Sequence, residues 1–235
     1  MKIKSLLFLL AFFCYFQKAK AQYIKVDDTF STQYLVEKVL VNSSCAQVSD
    51  FSESGDTFTP SRKSLGFFDA NGTSFPFKQG IFLSTSSSNN TPGPFINQRG
   101  GGSKNWGGDA DLDAALGISS INASVIEFDF VPLTDYVSFN YLFASNEYQL
   151  YYPCQYSDGF AFLIKEKGST TPYKNLAVIP ETTIPVASTS VHPLINPISN
   201  GNSTTSGCPA QNEIYFGGYN QSNSPINYAG QTKVL

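Results

Sequence analysis

The sequence predicts an all-β fold, an antiparallel two-sheet sandwich of jelly-roll type with one short N-terminal helix. Two alternating segments and one apolar run carry that expectation. Ile126-Glu127-Phe128-Asp129-Phe130 and Val137-Ser138-Phe139-Asn140-Tyr141-Leu142-Phe143 alternate apolar with mainly polar residues, the period of half-buried strands. Phe160-Ala161-Phe162-Leu163-Ile164 is apolar throughout, as a more deeply buried strand is. The composition agrees. Twenty Phe and 13 Tyr in 235 residues, of which 14% are charged, give many rings to strand faces, and 18 Gly with 13 Pro supply turns and tell against a helical bundle.

Taken in chain order, the first feature is an export signal. Lys2 and Lys4 precede an apolar run from Leu6 to Phe16, and Ala19-Lys20-Ala21 offers an A-x-A cleavage site, so residues 1–21 read as a signal peptide and 22–235 as a single domain. The run is about half the roughly 20 residues that a bilayer span requires. Phe12 and Phe13 before Cys14 tell against lipid attachment there, and no later window is apolar enough to span a membrane. Cleavage leaves 11 basic against 18 acidic side chains, a formal charge of −7 where the whole chain has −3. Nucleic acid is therefore a poor partner, and a secreted or outer-surface location is expected.

Beyond the signal, Ser31 is placed to cap a helix over 31–41, where Leu35, Val36, Val39 and Leu40 recur at helical spacing. Gly80-Ile81-Phe82-Leu83-Ser84 reads as a strand ahead of a low-complexity run to Pro94. Residues 180–207, rich in Pro, Ser, Thr and Asn, read as a long surface excursion, too polar for core. The last eight residues read as a turn and the opening of a strand, which suggests an N-terminal fragment of a longer protein.

Cleavage at residue 21 leaves Cys45, Cys154 and Cys208. Cys154 and Cys208 both lie in Pro- or Gly-containing loops, where a bridge distorts no strand, and they are the expected disulfide; Cys45 has no assigned partner. One histidine and no C-x-x-C exclude a zinc site of ordinary spacing. Nucleophilic and metal-dependent hydrolases have no motif here, since G-x-S-x-G, H-E-x-x-H and a Gly-rich phosphate loop are all absent.

Three groups of polar residues are candidates for function. Asp109, Asp111 and Asp113 form a D-x-D-x-D run, hard oxygen ligands at alternating positions that suit calcium, although Ala114 and Ser120 replace the EF-hand glycine and terminal Glu. The alternative is that these acids cap a short helix. Glu127 and Asp129 share one strand face, a spacing usable for glycoside hydrolysis. The run resembles the E-x-D-x-x-E signature of laminarinase-like glycosidases, but Pro132 stands where the acid/base would be, and a solvated strand face explains the pair as well. The third group is a tyrosine-rich loop, Asn146-Glu147-Tyr148-Gln149-Leu150-Tyr151-Tyr152, followed by Tyr156 and Asp158. Tyr148, Tyr151, Tyr152 and Asp158 offer stacking area and polar orientation to a glycan or protein ligand, or else the rings cap a sheet edge. Asp158-Gly159-Phe160-Ala161-Phe162 also resembles the sugar-contacting strand of legume-type lectins over five residues.

A broader resemblance runs from about Val26 to Leu235. Gln33 to Val41, Gly80 to Thr85, Gly108-Asp109-Ala110-Asp111-Leu112, Phe130-Val131-Pro132, Phe139 to Tyr148, Asp158 to Phe162, Asn175 to Pro180 and Tyr228 to Leu235 follow in the order of the choice-of-anchor L domain of exported bacterial proteins, common in the Bacteroidota group. The resemblance implies a non-enzymatic exported module of a cell-surface or secreted protein, with a C-terminal sorting or anchoring device, often for type IX secretion, and ties to adhesion or gliding motility. Members usually carry an acidic residue where this chain has Asn146. The expected role is adhesion, with glycan or surface protein as partner and calcium as a possible cofactor. The rivals are a structural spacer and a sandwich glycosidase.

Overall fold

The computed structural model describes residues 22–41, 46–58, 62–96, 105–201 and 203–235. The expected signal peptide over 1–21 and Cys45 lie outside the described residues. The chain is built mostly of short antiparallel strands with few helices. Among the described residues the strands divide over six small sheets, not two continuous ones, and three of these are pairs of two- or three-residue strands: β3 (Thr57–Phe58) with β4 (Arg62–Lys63), β9 (Leu163–Ile164) with β10 (Lys174–Asn175), and β11 (Ile198–Asn200) with β12 (Ser203–Thr205).

The first layer starts with β1 (Lys25–Asp27), which pairs with β5 (Leu65–Asp69); β5 in turn pairs with β6 (Gln79–Leu83), in register from Leu65 opposite Leu83 to Asp69 opposite Gln79. Phe68 and Phe82 bury with Ile24 and Ile226, and Phe75 stands edge-on to Phe68 at 5.3 Å. The predicted helix is present. It runs as α1 (Thr32–Tyr34), capped by Ser31 Oγ accepting from Tyr34 N–H, and continues as a wider π-helical turn over Leu35–Leu40 that closes with Val41 N–H donating to Val36 C=O. Leu35 and Val36 are fully buried and hold this turn against β5 and β6.

The alternating segment at 126–130 forms the middle of β7 (Val125–Pro132), paired with β2 (Ala46–Ser54). The ladder is irregular between Ser49 and Ser52, where Asp50 takes a positive φ of 54°, the mark of a bulge. Of the other two predicted strands, 160–164 is shortened to its last two residues, and 137–143 forms none, the nearest strand starting just after it. Only β8 (Ala144–Ser145) and β9 (Leu163–Ile164) are hydrogen-bonded strands in those regions. The alternation is nevertheless used in packing, because Phe139 stacks on Phe162 with centroids 3.8 Å apart and Tyr141 lies 5.2 Å from Phe160. Tyr141 and Leu235 exchange two backbone hydrogen bonds of 3.0 Å, and Thr232 N–H donates to Phe143 C=O, so β14 (Gly230–Thr232) carries this line beyond its pairing with β8. On its other edge β14 pairs with β13 (Phe216–Tyr219).

The expectation for 180–207 is corrected. Val186, Val191 and Ser188 are fully buried, and Ile195 and His192 nearly so. Val186 and Val191 share one core with Phe143, Tyr148, Ile179 and Ala229. Composition misled here, since three apolar residues, Val186, Val191 and Ile195, suffice when the intervening polar groups are satisfied. Ser190 Oγ donates to Pro185 C=O and accepts from Ala187 N–H, while His192 and Ile195 pair by backbone with Gln211 and Cys208. The pairing at Cys208 is close. A Cβ on Gly207 would sit 2.0 Å from Ile195 O, so this position admits only glycine.

Candidate ligand-binding site

The tyrosine-rich loop starts where β8 ends. Ser145, 1% exposed, is the hub: its hydroxyl donates to Asp158 Oδ2 at 2.5 Å and accepts the Glu147 N–H at 2.9 Å. The Glu147 backbone N–H and the Asp158 carboxylate, eleven residues apart in sequence, thereby meet at one hydroxyl. Burial pushes the Asp158 carboxyl above its ordinary 3.8, and the Ser145 hydrogen bond offsets only part of this. Burial also raises Glu147, and the neighbouring Asp158 charge raises it further. Among the described residues neither carboxylate forms an ion pair. Tyr228, raised chiefly by burial and also by the Asp158 charge, shares a 3.1 Å hydrogen bond with Ser84.

The tyrosines divide into two groups. Tyr148 is corrected as a surface candidate: it is 1% exposed, packed on Phe216 and Phe143, with its Cβ only 2.7 Å from where a Cβ on Gly230 would stand. The turn after Ser145 drives this ring into the core. Its hydroxyl finds no hydrogen-bond partner among the described residues. Tyr151 and Tyr152 are half-buried and Tyr156 is exposed; the three form an edge-on chain with centroids 5.3 and 5.9 Å apart. They sit on a tight path. Leu150 adopts a positive φ of 51°, a strained conformation for a branched side chain, and a 3-10 turn follows at Tyr152–Cys154.

This loop is fastened from both sides. Asn146 Oδ1 accepts the Ala229 N–H and so ties the loop to the residue that leads into β14. Ser188 Oγ donates to Tyr156 C=O, and the expected Cys154–Cys208 disulfide is present, joining the loop to the core segment around His192. Closing a loop of 54 residues is worth about 4 kcal/mol in the chain-entropy model.

The other candidates stay apart from this site. Asp109 caps α2 (Ala110–Leu116), accepting the Leu112 N–H at 2.8 Å, and Asp113 accepts the Ser120 N–H at 2.7 Å. Asp111 is exposed and lines a shallow cavity with Lys165 and Tyr173. Two of the three acids are thus spent on backbone N–H groups, and no group of three His, Cys, Asp or Glu among the described residues could hold a metal ion. Glu127 is exposed on β7 and accepts from Ser52, whereas Asp129 forms an ion pair with Lys167, which also pairs with Asp50 at 3.0 Å. Glu147 and Ser145 were not legible as site residues. Their signal was sequence proximity to Tyr148, but the link to Asp158 exists only in three dimensions.

No helix among the described residues is long and apolar enough to cross a membrane. The family model described as choice-of-anchor L domain matches residues 24–235. No curated protein and no solved structure matches the chain.

Proposed function

We propose, from the premise that this chain belongs to the choice-of-anchor L family, that it is an exported surface module whose Glu147–Asp158 site binds a neutral, hydroxyl-rich glycan for adhesion. One observation carries the reading: two neighbouring carboxylates without a cationic partner among the described residues, Asp158 bonded to the Ser145 hydroxyl and Glu147 fixed to it by its backbone N–H, belong to the same loop as a chain of tyrosines. Sugar hydroxyls donate to carboxylates while the apolar sugar face stacks on rings, so Asp158 and Glu147 supply orientation and Tyr151, Tyr152 and Tyr156 supply area. Anionic ligands are disfavoured by the same two acids. Holding unpaired carboxylates half-buried costs stability, a cost typical of sites kept for function.

Calcium bridging the carboxylates to sugar would be an extension of this reading. A glycan array probed with and without EDTA, on wild type and Asp158→Asn, tests both. Binding of neutral glycans that is lost in Asp158→Asn supports the site, and sensitivity to EDTA adds the cation. No binding to any glycan by the wild type, in either condition, would favour the spacer reading, in which Tyr151→Ala with Tyr152→Ala leaves cell attachment unchanged. Hydrolysis of a β-glucan that disappears in Glu127→Gln would instead revive the glycosidase.

A further inference from the structure

The Cys154–Cys208 bond ends on a buried imidazole. His192, the sole histidine of the chain and 1% exposed, places Nε2 4.0 Å from Cys208 Sγ and Nδ1 2.8 Å from Pro193 C=O. A carbonyl only accepts, so Nδ1 carries the proton and donates it, and in the neutral ring the lone pair of Nε2 faces the Cys208 sulfur. Among the described residues Cys154 has no such imidazole in its hydrogen bonds: its N–H donates to Tyr151 C=O within the 3-10 turn. Both cysteines are half-buried and so are reachable at the edge of the loop. The disulfide is therefore chemically lopsided.

We propose that Cys154–Cys208 is a thiol-exchange site, entered at Cys154 by a small thiol or a dithiol oxidoreductase, with Cys208 leaving as a thiolate paired to His192. The step balances. The incoming thiol ionises and its thiolate forms a new S–S bond to Cys154 Sγ; the Cys154–Cys208 bond breaks and its electron pair goes to Cys208 Sγ. The proton released by the incoming thiol ends on His192 Nε2, giving a thiolate–imidazolium pair. A thiolate stabilised in this way is the better leaving group, which directs attack to the other sulfur. A second thiolate then removes the cap from Cys154 and completes reduction. Because Cys154 closes the turn that carries Tyr152, and Cys208 pairs with the core segment at Ile195, opening the bond frees one of the fastenings of the tyrosine loop.

The test uses the full chain carrying Cys14→Ser and Cys45→Ser, so that only this pair reacts, with glutathione as the thiol. Peptide mapping of the trapped mixed disulfide is expected to find glutathione on Cys154 over Cys208 by about tenfold. In His192→Gln, whose amide can still donate to Pro193 C=O, that preference collapses and exchange slows by about tenfold. If the variant does not fold, the wild-type partition still decides. Glutathione divided equally between the two cysteines, or found mainly on Cys208, overturns the proposal, as does an unchanged partition in folded His192→Gln. None of these readouts depends on a glycan, so failure here leaves the ligand site untouched.

Discussion

Two carboxylates show what the fold does with a partly hidden acid. Asp28, at the end of β1, accepts from Ser88 Oγ at 2.6 Å and Lys63 N–H at 2.9 Å and faces the Arg62 guanidinium at 3.3 Å. Burial alone would raise its pKa, but these donors outweigh burial and hold it below 3.8. Asp158 has one hydroxyl, no cation among the described residues and a second acid nearby, and its pKa is raised. The first acid is saturated by the protein and works as a fastener. The second keeps acceptor capacity that the protein does not use, and that unused capacity is what a ligand can fill.

Substitutions should break or sharpen this contrast in a defined order. The largest effect belongs to the tyrosine that the site gives up to the core. Tyr148→Ala empties space among Phe143, Phe216 and Gly230 and is expected to cost about 3–5 kcal/mol in denaturant unfolding, whereas Tyr148→Phe removes only the unpartnered hydroxyl and stays within about 1 kcal/mol of wild type. Asp28→Ala comes next. It strands the Ser88 hydroxyl and the Lys63 N–H and is expected to cost about 3 kcal/mol by the same measurement. Loss of the disulfide in Cys208→Ser follows, at about 2–4 kcal/mol. Tyr151→Ala is the smallest in stability, under about 1 kcal/mol, because the ring is half-buried on the rim. On a glycan array the order reverses: Tyr151→Ala weakens binding and Asp28→Ala, where folded, does not.

The two acids also predict opposite pH behaviour. For Asp28 and Glu53, whose folded pKa values are lowered, the stabilisation is complete above their unfolded values of 3.8 and 4.5 and is lost as pH falls through the folded values. For Asp158 and Glu147, whose values are raised, it is complete below 3.8 and 4.5 and fades as pH rises through the folded values. The thermal midpoint should therefore peak at mildly acidic pH and decline toward neutrality.

The parts of this contrast differ in how far they can be read from sequence. Ser31 as helix cap, the β7 alternation and the Cys154–Cys208 pairing were legible because each rests on local chemistry or on a count. Asp158, Tyr151, Tyr152 and Tyr156 stood out in the sequence by type and spacing, and their ligand-binding role is the proposal made above. Tyr148 was read with them because a loop sequence does not say which way each ring turns; Gly230, distant in sequence, makes the room that takes it inward. The core role of Val186 and Val191 was hidden by their polar neighbours, whose satisfaction comes from backbone groups that composition does not reveal. The aspartates at 109 and 113 matched a ligand pattern and a capping pattern equally, and in the fold Asp109 caps α2 through the Leu112 N–H while Asp113 accepts the Ser120 N–H beyond it. Meetings across the fold, Glu147 with Asp158 and His192 with Cys208, leave no periodic trace.

The most direct measurement is the difference in thermal midpoint between Asp158→Asn and wild type from pH 4 to pH 7. The amide still accepts from Ser145 but carries no charge to desolvate. The expected result is a difference near zero at pH 4 that grows in favour of the variant, to about 2–4 °C at pH 7, matching roughly 1 kcal/mol for a chain of this size. A variant that is less stable than wild type at pH 7, as Asp28→Ala should be, would contradict the claim that this carboxylate is kept at a cost.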